Sequence, residues 1–224
     1  MSSSNYVIIV AGGSGSRMNS ETPKQFLLLA GKPLLMHALG KFYEADASLK
    51  IIVVLPAKEI EEWKSLCEKY SFRIAHQVTA GGETRYMSVK NGLALVGGKS
   101  VVAIHDGARP LASVALIRKC FSVAAQKGNA VPCLPVRESM RKISEGKNEL
   151  ADRSGFVTIQ TPQCFASDIL KKAYEGAFKS FFTDDASVVE AAGEAINLVE
   201  GEQENIKVTF PIDLGIAEAI IRKG

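Results

Sequence analysis

Tyr6-Val7-Ile8-Ile9-Val10-Ala11-Gly12-Gly13-Ser14-Gly15-Ser16-Arg17-Met18 is the stretch that decides the fold class. Tyr6–Val10 is an apolar, β-branched run and reads as a strand. Gly12, Gly13 and Gly15 follow at once, and they let the backbone turn tightly and come close to a ligand. Successive backbone N–H groups in such a turn form an anion-binding concavity. Arg17 adds positive charge, and Lys24 in Thr22-Pro23-Lys24-Gln25 adds more. A glycine loop followed by two cations suits a polyphosphate.

Similar runs recur outward from this strand, at Ile51–Leu55, Ile74–Val78 and Val101–Ile104. Between them Ile60, Trp63, Cys67 and Tyr70 keep helical spacing, as do Val114, Ile117, Phe121 and Ala124. Strands alternating with helices predict βαβ units and an α/β fold, a single Rossmann-like domain over residues 1–224 with a mostly parallel, covered central sheet. The pattern changes after Val131. Glu138–Ser144 and Glu149–Ile159 flank Gly146-Lys147-Asn148, a turn signal, and read as a protruding β-hairpin at about 136–160. Its many charges leave it either solvated or packed on another subunit. Helices are expected at Ile169–Phe178 and Ala186–Ala192, short strands at Ala195–Val199 and Ile206–Val208. A last helix opens at Pro211, with Leu214, Ala217 and Ile221 on one face.

Composition removes other classes. The 224 residues are 46% hydrophobic and 23% charged, as in an ordinary globular protein, and the net charge of +3 implies no nucleic-acid partner. Cys67, Cys120, Cys133 and Cys164 make no C-x-x-C and have no zinc-ligand spacing, which predicts reduced thiols. The first apolar run is too short for a signal peptide and no stretch reaches the ~20 apolar residues of a membrane span. The expectation is a soluble cytoplasmic protein.

Three kinds of glycine loop can be separated. A dinucleotide fingerprint matches Gly13 and Gly15 but meets Met18 at its third glycine, and no acid stands near Pro33–Leu35. Gly98-Lys99-Ser100 imitates the end of a P-loop, yet Leu93 stands where its first glycine belongs, so this is read as a turn. What remains is G-G-x-G-x-R-M followed by P-K-Q. Four candidate segments lie just after predicted strands: the glycine loop, Gly81-Gly82, Asp106, and the Glu200–Lys207 turn. Ligands of open parallel sheets bind beyond the carboxyl ends of the strands, so these segments can line one crevice. Asp106 at a strand end can hold a hard divalent cation such as Mg²⁺, or cap a helix. His37, His76 and His105 are expected to be structural.

The loop and Pro23-Lys24-Gln25 resemble the nucleotidyltransferases that activate small phosphorylated alcohols. More closely, the chain resembles the 2-C-methyl-D-erythritol 4-phosphate cytidylyltransferase family. The match includes Gly81-Gly82 with Arg85 and Ser88, His105-Asp106-Gly107-Ala108-Arg109-Pro110, and Val136-Arg137-Glu138-Ser139-Met140. It continues through Asp152-Arg153-Ser154-Gly155, Thr161-Pro162-Gln163, Thr183-Asp184, Val199-Glu200-Gly201, Asn205-Ile206-Lys207 and Pro211-Ile212-Asp213-Leu214. The resemblance implies that the phosphate of methylerythritol phosphate attacks the α-phosphorus of CTP and expels pyrophosphate. It implies nucleotide binding by Ala11, Gly12, Gly13, Gly15, Gly82, Ser88, Asp106 and Gly107. Arg17 and Lys24 would stabilise the reacting phosphates. Asp106, Arg109, Ser139, Arg153, Thr161, Glu204 and Lys207 would bind the phosphorylated alcohol, with Arg153 and Lys207 positioning its phosphate. Asp106 would hold Mg²⁺, and the hairpin would reach into a neighbouring subunit of a homodimer. Ser139 stands where many relatives have threonine, Glu204 where they have aspartate, and Gly107 where alanine is frequent, which predicts a minor change. The competing expectations are a ribitol-5-phosphate cytidylyltransferase, a non-catalytic CTP-sensing module and an NAD-dependent oxidoreductase.

Overall fold

The computed structural model describes residues 4–13, 18 and 22–223. In chain order the strands and helices are β1 (Tyr6–Val10), β2 (Leu28–Leu29), β3 (Lys32–Pro33), α1 (Leu34–Ala45), β4 (Lys50–Leu55), α2 (Ile60–Lys69), β5 (Gln77–Ala80), α3 (Arg85–Leu93), β6 (Val101–Asp106), α4 (Val114–Lys127), β7 (Asn129–Pro135), β8 (Met140–Ser144), β9 (Lys147–Ala151), β10 (Val157–Ile159), β11 (Gln163–Ala166), α5 (Ser167–Glu175), α6 (Asp185–Ala191), β12 (Leu198–Glu200) and α7 (Pro211–Lys223).

The main sheet has the order β10-β7-β11-β6-β1-β4-β5, with β12 on the other side of β7. β6, β1, β4 and β5 are mutually parallel, and β11 is the antiparallel intruder between β6 and β7. The alternation of side chains along each strand divides the interior. Val7, Ile9, Ile51 and Val53 face one layer with Leu39 and Phe42 of α1, Trp63 of α2 and Ile117 of α4. Ile8, Ile52, Val54 and Ile104 face the other, with Val89 of α3, Leu170 of α5 and Val189 of α6. Burial of both faces is why these strands are continuously apolar. Thr84, Ser113 and Asp184 cap α3, α4 and α6. Ala217 of α7 is buried against Leu29, Leu34 and Val208.

Three sequence expectations are corrected. β5 begins at Gln77 rather than Ile74, because the preceding residues wrap Trp63: its indole N–H donates to His76 Nε2 at 2.9 Å, and His76 Nδ1 lies 2.7 Å from the Ile74 carbonyl. Residues 206–208 form no strand. Val208 N–H donates to the Ala108 carbonyl (2.8 Å) and Thr209 N–H to Asp213 (2.7 Å), so this run lies across the aspartate loop instead of joining a ladder. The hairpin turns at Glu145-Gly146, both at positive φ (50° and 78°), one position before the expected centre. Its second strand also ends early. Asp152 caps a short helical turn at Arg153–Gly155, and β10 then joins β7 in the main sheet. Of the expected arm, β8–β9 alone forms a two-stranded sheet apart from the main one. No helix among the described residues is long and apolar enough to cross a membrane.

Candidate active site

After β1 the chain builds outward through β4 to β5, then returns to lay β6 on the opposite side of β1. This reversal opens a crevice at the carboxyl ends of β1 and β6, the place where open α/β sheets bind ligands. Backbone bonds just past the strand ends fix the loops there: Ala11 N–H to Val54 O (2.9 Å), Gly81 N–H to Leu55 O (2.8 Å) and Gly107 N–H to Val10 O (2.9 Å). A side chain on Gly82 would overlap the Met87 Cβ. Ser88, buried at the first turn of α3, accepts from Gly82 N–H (3.1 Å) and donates to Thr84 O (3.0 Å). Gly107 is a second close approach. A Cβ there would lie 2.9 Å from Ala11 Cβ, so a methyl group at this turn is not the minor change the sequence implied.

Asp106 stands at the centre. Its carboxylate lies 2.8 Å from Lys207 Nζ, 3.6 Å from Arg85 Nε and 3.8 Å from Arg109 Nε, with the side chain 13% exposed. Burial opposes its charge, but Arg85, Lys207 and Arg109 outweigh burial and hold the carboxyl well below the usual range. Arg85 in turn donates to buried Asp185 at 2.6 Å, and Asp185 accepts from Tyr174 O–H at 2.7 Å.

A cavity of about 250 Å³ on one side of Asp106 is lined by Ala11, Gly12, Gly13, Lys24, Gly82, Ser88, Arg85 and Lys207. A second, of about 260 Å³, is lined by Arg109, Thr161, Gln163, Thr183, Arg85 and Lys207. Arg85, Asp106 and Lys207 belong to both walls. The crevice therefore has two chambers that share one charged partition.

Most of the expected site residues come together here. Gly107 contributes its backbone position, and its neighbour Ala108 lines the first cavity. Thr161 lines the second, but its hydroxyl is already engaged. It accepts from Asp106 N–H (3.1 Å) and lies 3.0 Å from Nδ1 of His105. His105 Nε2 lies 2.9 Å from the Arg109 carbonyl, an acceptor only, so this nitrogen donates and Nδ1 accepts from Thr161. Burial pushes His105 down to about 4, which keeps the ring neutral. Its two nitrogens thus brace the aspartate loop, in keeping with a structural histidine. His37 likewise sits 2.7 Å from the Leu29 carbonyl. The four cysteines are free, with Cys120 and Cys164 buried.

Ser139, Arg153 and Glu204 are exposed and line neither cavity. Arg153 donates to the Arg137 carbonyl on its own arm. Gly15 and Arg17 lie outside the described residues. The residue that sequence reasoning undervalued is Arg85: it stood in the matched Gly81-Gly82 motif, but nothing local distinguished it from a surface cation.

Among the described residues no three His, Cys, Asp or Glu side chains cluster as metal ligands. Asp106 is a single carboxylate. This fits a magnesium ion that keeps waters and takes its other ligands from substrate phosphates, and does not fit a protein-built cage.

Fold, glycine loop and cation-lined double cavity define a nucleotidyltransferase of the α/β class. A profile of the 2-C-methyl-D-erythritol 4-phosphate cytidylyltransferases matches residues 5–223, and the chain belongs to that family. A relative of that name from Bacteroides fragilis is 50% identical over 214 residues, covering 96% of this chain and 98% of its own. The solved 2-C-methyl-D-erythritol 4-phosphate cytidylyltransferase of Thermus thermophilus is 31% identical, with a TM-score of 0.78 over 98% of this chain and 99% of that one. The 4-diphosphocytidyl-2C-methyl-D-erythritol synthase of Anaerococcus prevotii is 26% identical with a TM-score of 0.83, covering 98% and 96%.

Proposed function

We propose that the chain joins CTP and 2-C-methyl-D-erythritol 4-phosphate to give CDP-methylerythritol and pyrophosphate, a step of non-mevalonate isoprenoid precursor biosynthesis in the cytoplasm. The observation that carries this reading is the pair of cavities sharing Asp106, Arg85 and Lys207. CTP takes the glycine-lined cavity, with Ala11, Gly12, Gly13, Gly15, Gly82, Ser88 and Gly107 around it. The phosphorylated alcohol takes the other, beside Arg109 and Lys207, with Thr161 and Glu204 nearby.

A phosphate monoester, with a second pKa of about 6, is largely a dianion at neutral pH, so the nucleophile needs no general base. This agrees with the neutral, fully engaged His105. The barrier is instead the meeting of two polyanions, which fixed positive charge lowers. Arg17 and Lys24 serve the α-phosphate and the leaving pyrophosphate. Asp106 would hold magnesium, which supplies further charge neutralisation when bound.

Residues 1–224 act as one nucleotidyltransferase domain, and the arm at 136–160 crosses to a second copy, bringing Ser139 and Arg153 to the partner's crevice. Support comes from Ile143 and Leu150, 79% and 77% exposed. The register Arg141↔Leu150 and Ile143↔Asn148 puts them on one face of the hairpin. An apolar face left this open calls for a cover.

Pyrophosphate release with Mg²⁺ tests the reading. CTP with methylerythritol phosphate is expected to turn over, and CTP with ribitol 5-phosphate to turn over poorly. Faster reaction with ribitol 5-phosphate, or CTP binding without any turnover, would overturn it in favour of the two rival functions. NAD binding is not expected.

A further inference from the structure

Arg85 is the first residue of α3, where the helix already presents its positive end and carries no acidic residue in its first turn. A cation is unfavourable at that position, so helix formation does not account for it. The side chain is instead pinned from below. Nη2 donates to Asp185 at 2.6 Å; Asp185 has no exposed surface, and its second oxygen accepts from Tyr174 O–H at 2.7 Å. Arg85 lines both cavities, with its Nε 3.6 Å from Asp106 at their shared wall. Lys207 shares that place, but its side chain is 43% exposed against 29% for Arg85. A fork held by a buried carboxylate is a preoriented charge, which a lysine on a flexible stem is not.

We propose that Arg85 is a further catalytic cation of the transfer reaction, contacting oxygens of the attacking phosphate and of the α-phosphate where they meet, and that Asp185, backed by Tyr174, is its positioning residue. The inference rests on the cytidylyl-transfer reading. In that step a phosphate oxygen of the alcohol bonds to the α-phosphorus. The bond from that phosphorus to the β-phosphate bridging oxygen breaks, and pyrophosphate leaves with the electron pair. No proton moves. Negative charge concentrates on the oxygens between the cavities, and Arg85 is fixed beside them before the reaction begins.

The test is steady-state pyrophosphate release by the full chain with CTP, magnesium and methylerythritol phosphate. Removing Arg85 alone would strand buried Asp185, so the working variant is R85A/D185N, with folding followed by circular dichroism. It is expected to lose about 10²-fold in kcat, and to recover part of that loss when guanidinium ion is added below denaturing concentrations. R85K keeps the charge without the fork and is expected to lose about 10-fold or more in kcat. D185N alone, which leaves Arg85 charged but loose, is expected to lower kcat while the KM for CTP changes little. R85K turning over within about twofold of wild type overturns the proposal, whether or not the double variant folds. So does a folded double variant with near-normal kcat. An inactive wild-type chain would break the functional reading itself, whereas an active wild type with an indifferent R85K breaks only this inference.

Discussion

The Asp106 crevice and the β8–β9 arm are both rich in charge, yet they are built in opposite ways. In the crevice Asp106 is partnered within the chain: three cations surround it, and Asp185, backed by Tyr174, holds one of them. The arm contacts mainly itself. Its ion pair, Lys142–Glu149 at 3.4 Å, is about 70% exposed on both sides, and its apolar residues face outward. Exposed pairs of that kind contribute little. The difference teaches that one chain matches the charge of Asp106 by itself but leaves the apolar face of the arm uncovered. Ser139 and Arg153 lie away from their own chain's cavities, and under the proposed function they serve the crevice of a second copy.

The largest expected effect tests the division of labour. Lys24→Ala should keep the fold and lose on the order of 10²–10³ in turnover; near-normal turnover would remove Lys24 from the mechanism. Mixing that chain with an Arg153→Ala chain should restore part of the activity, because one composite site of each mixed dimer then holds both residues. Verified mixed dimers that stay inactive would defeat the crossed arm.

The crevice, not the arm, should carry the pH dependence of stability. His105 is held near 4 against an ordinary 6.5 by burial, so the unfolded chain binds more protons between those values. The stabilisation is complete above pH 6.5 and is lost as pH falls toward 4, on the order of 3 kcal/mol. Asp106, depressed by its cations, adds a further loss below its unfolded pKa near 3.9. Urea midpoints at pH 7.5 and pH 4.5 check this, and equal values would refute it.

Gly107→Ala should cost about 1 kcal/mol, since Ala11 Cβ has no rotamer by which to retreat. A melting temperature unchanged from wild type would mean that the loop relaxes freely. The smallest folding effect is expected from Ile143→Lys with Leu150→Glu, within about 0.5 kcal/mol for surface changes, while the sedimentation profile shifts toward monomer. A dimer that persists would show that the arm is not what joins the subunits.

Much of the scaffold was legible. β1, β4 and β6 are continuous β-branched runs, and α2 and α4 keep a clean helical period, because burial on two faces or one writes itself directly into residue type. The misreadings arose where distant side chains chose the pairing. Trp63 delayed the start of β5, Ala108 and Asp213 took the backbone donors of residues 208–210, and Asp152 broke the second arm. In the site, the glycine loop, Lys24 and Asp106 announced themselves by local chemistry. Arg85 did not, because its anchor Asp185 lies 100 residues away.

Sequence alone determined the layered α/β class and marked the glycine loop, Lys24 and Asp106 as candidates for anion chemistry, since each follows from residue type at short spacing. Tertiary structure decided which cations converge on Asp106, that His105 and Thr161 brace it, and that Ser139 and Arg153 stay away from their own chain's crevice. Those outcomes depend on charges and hydrogen bonds between residues far apart in the chain, whose energies exist only once folding has brought them within a few ångströms and removed the water between them.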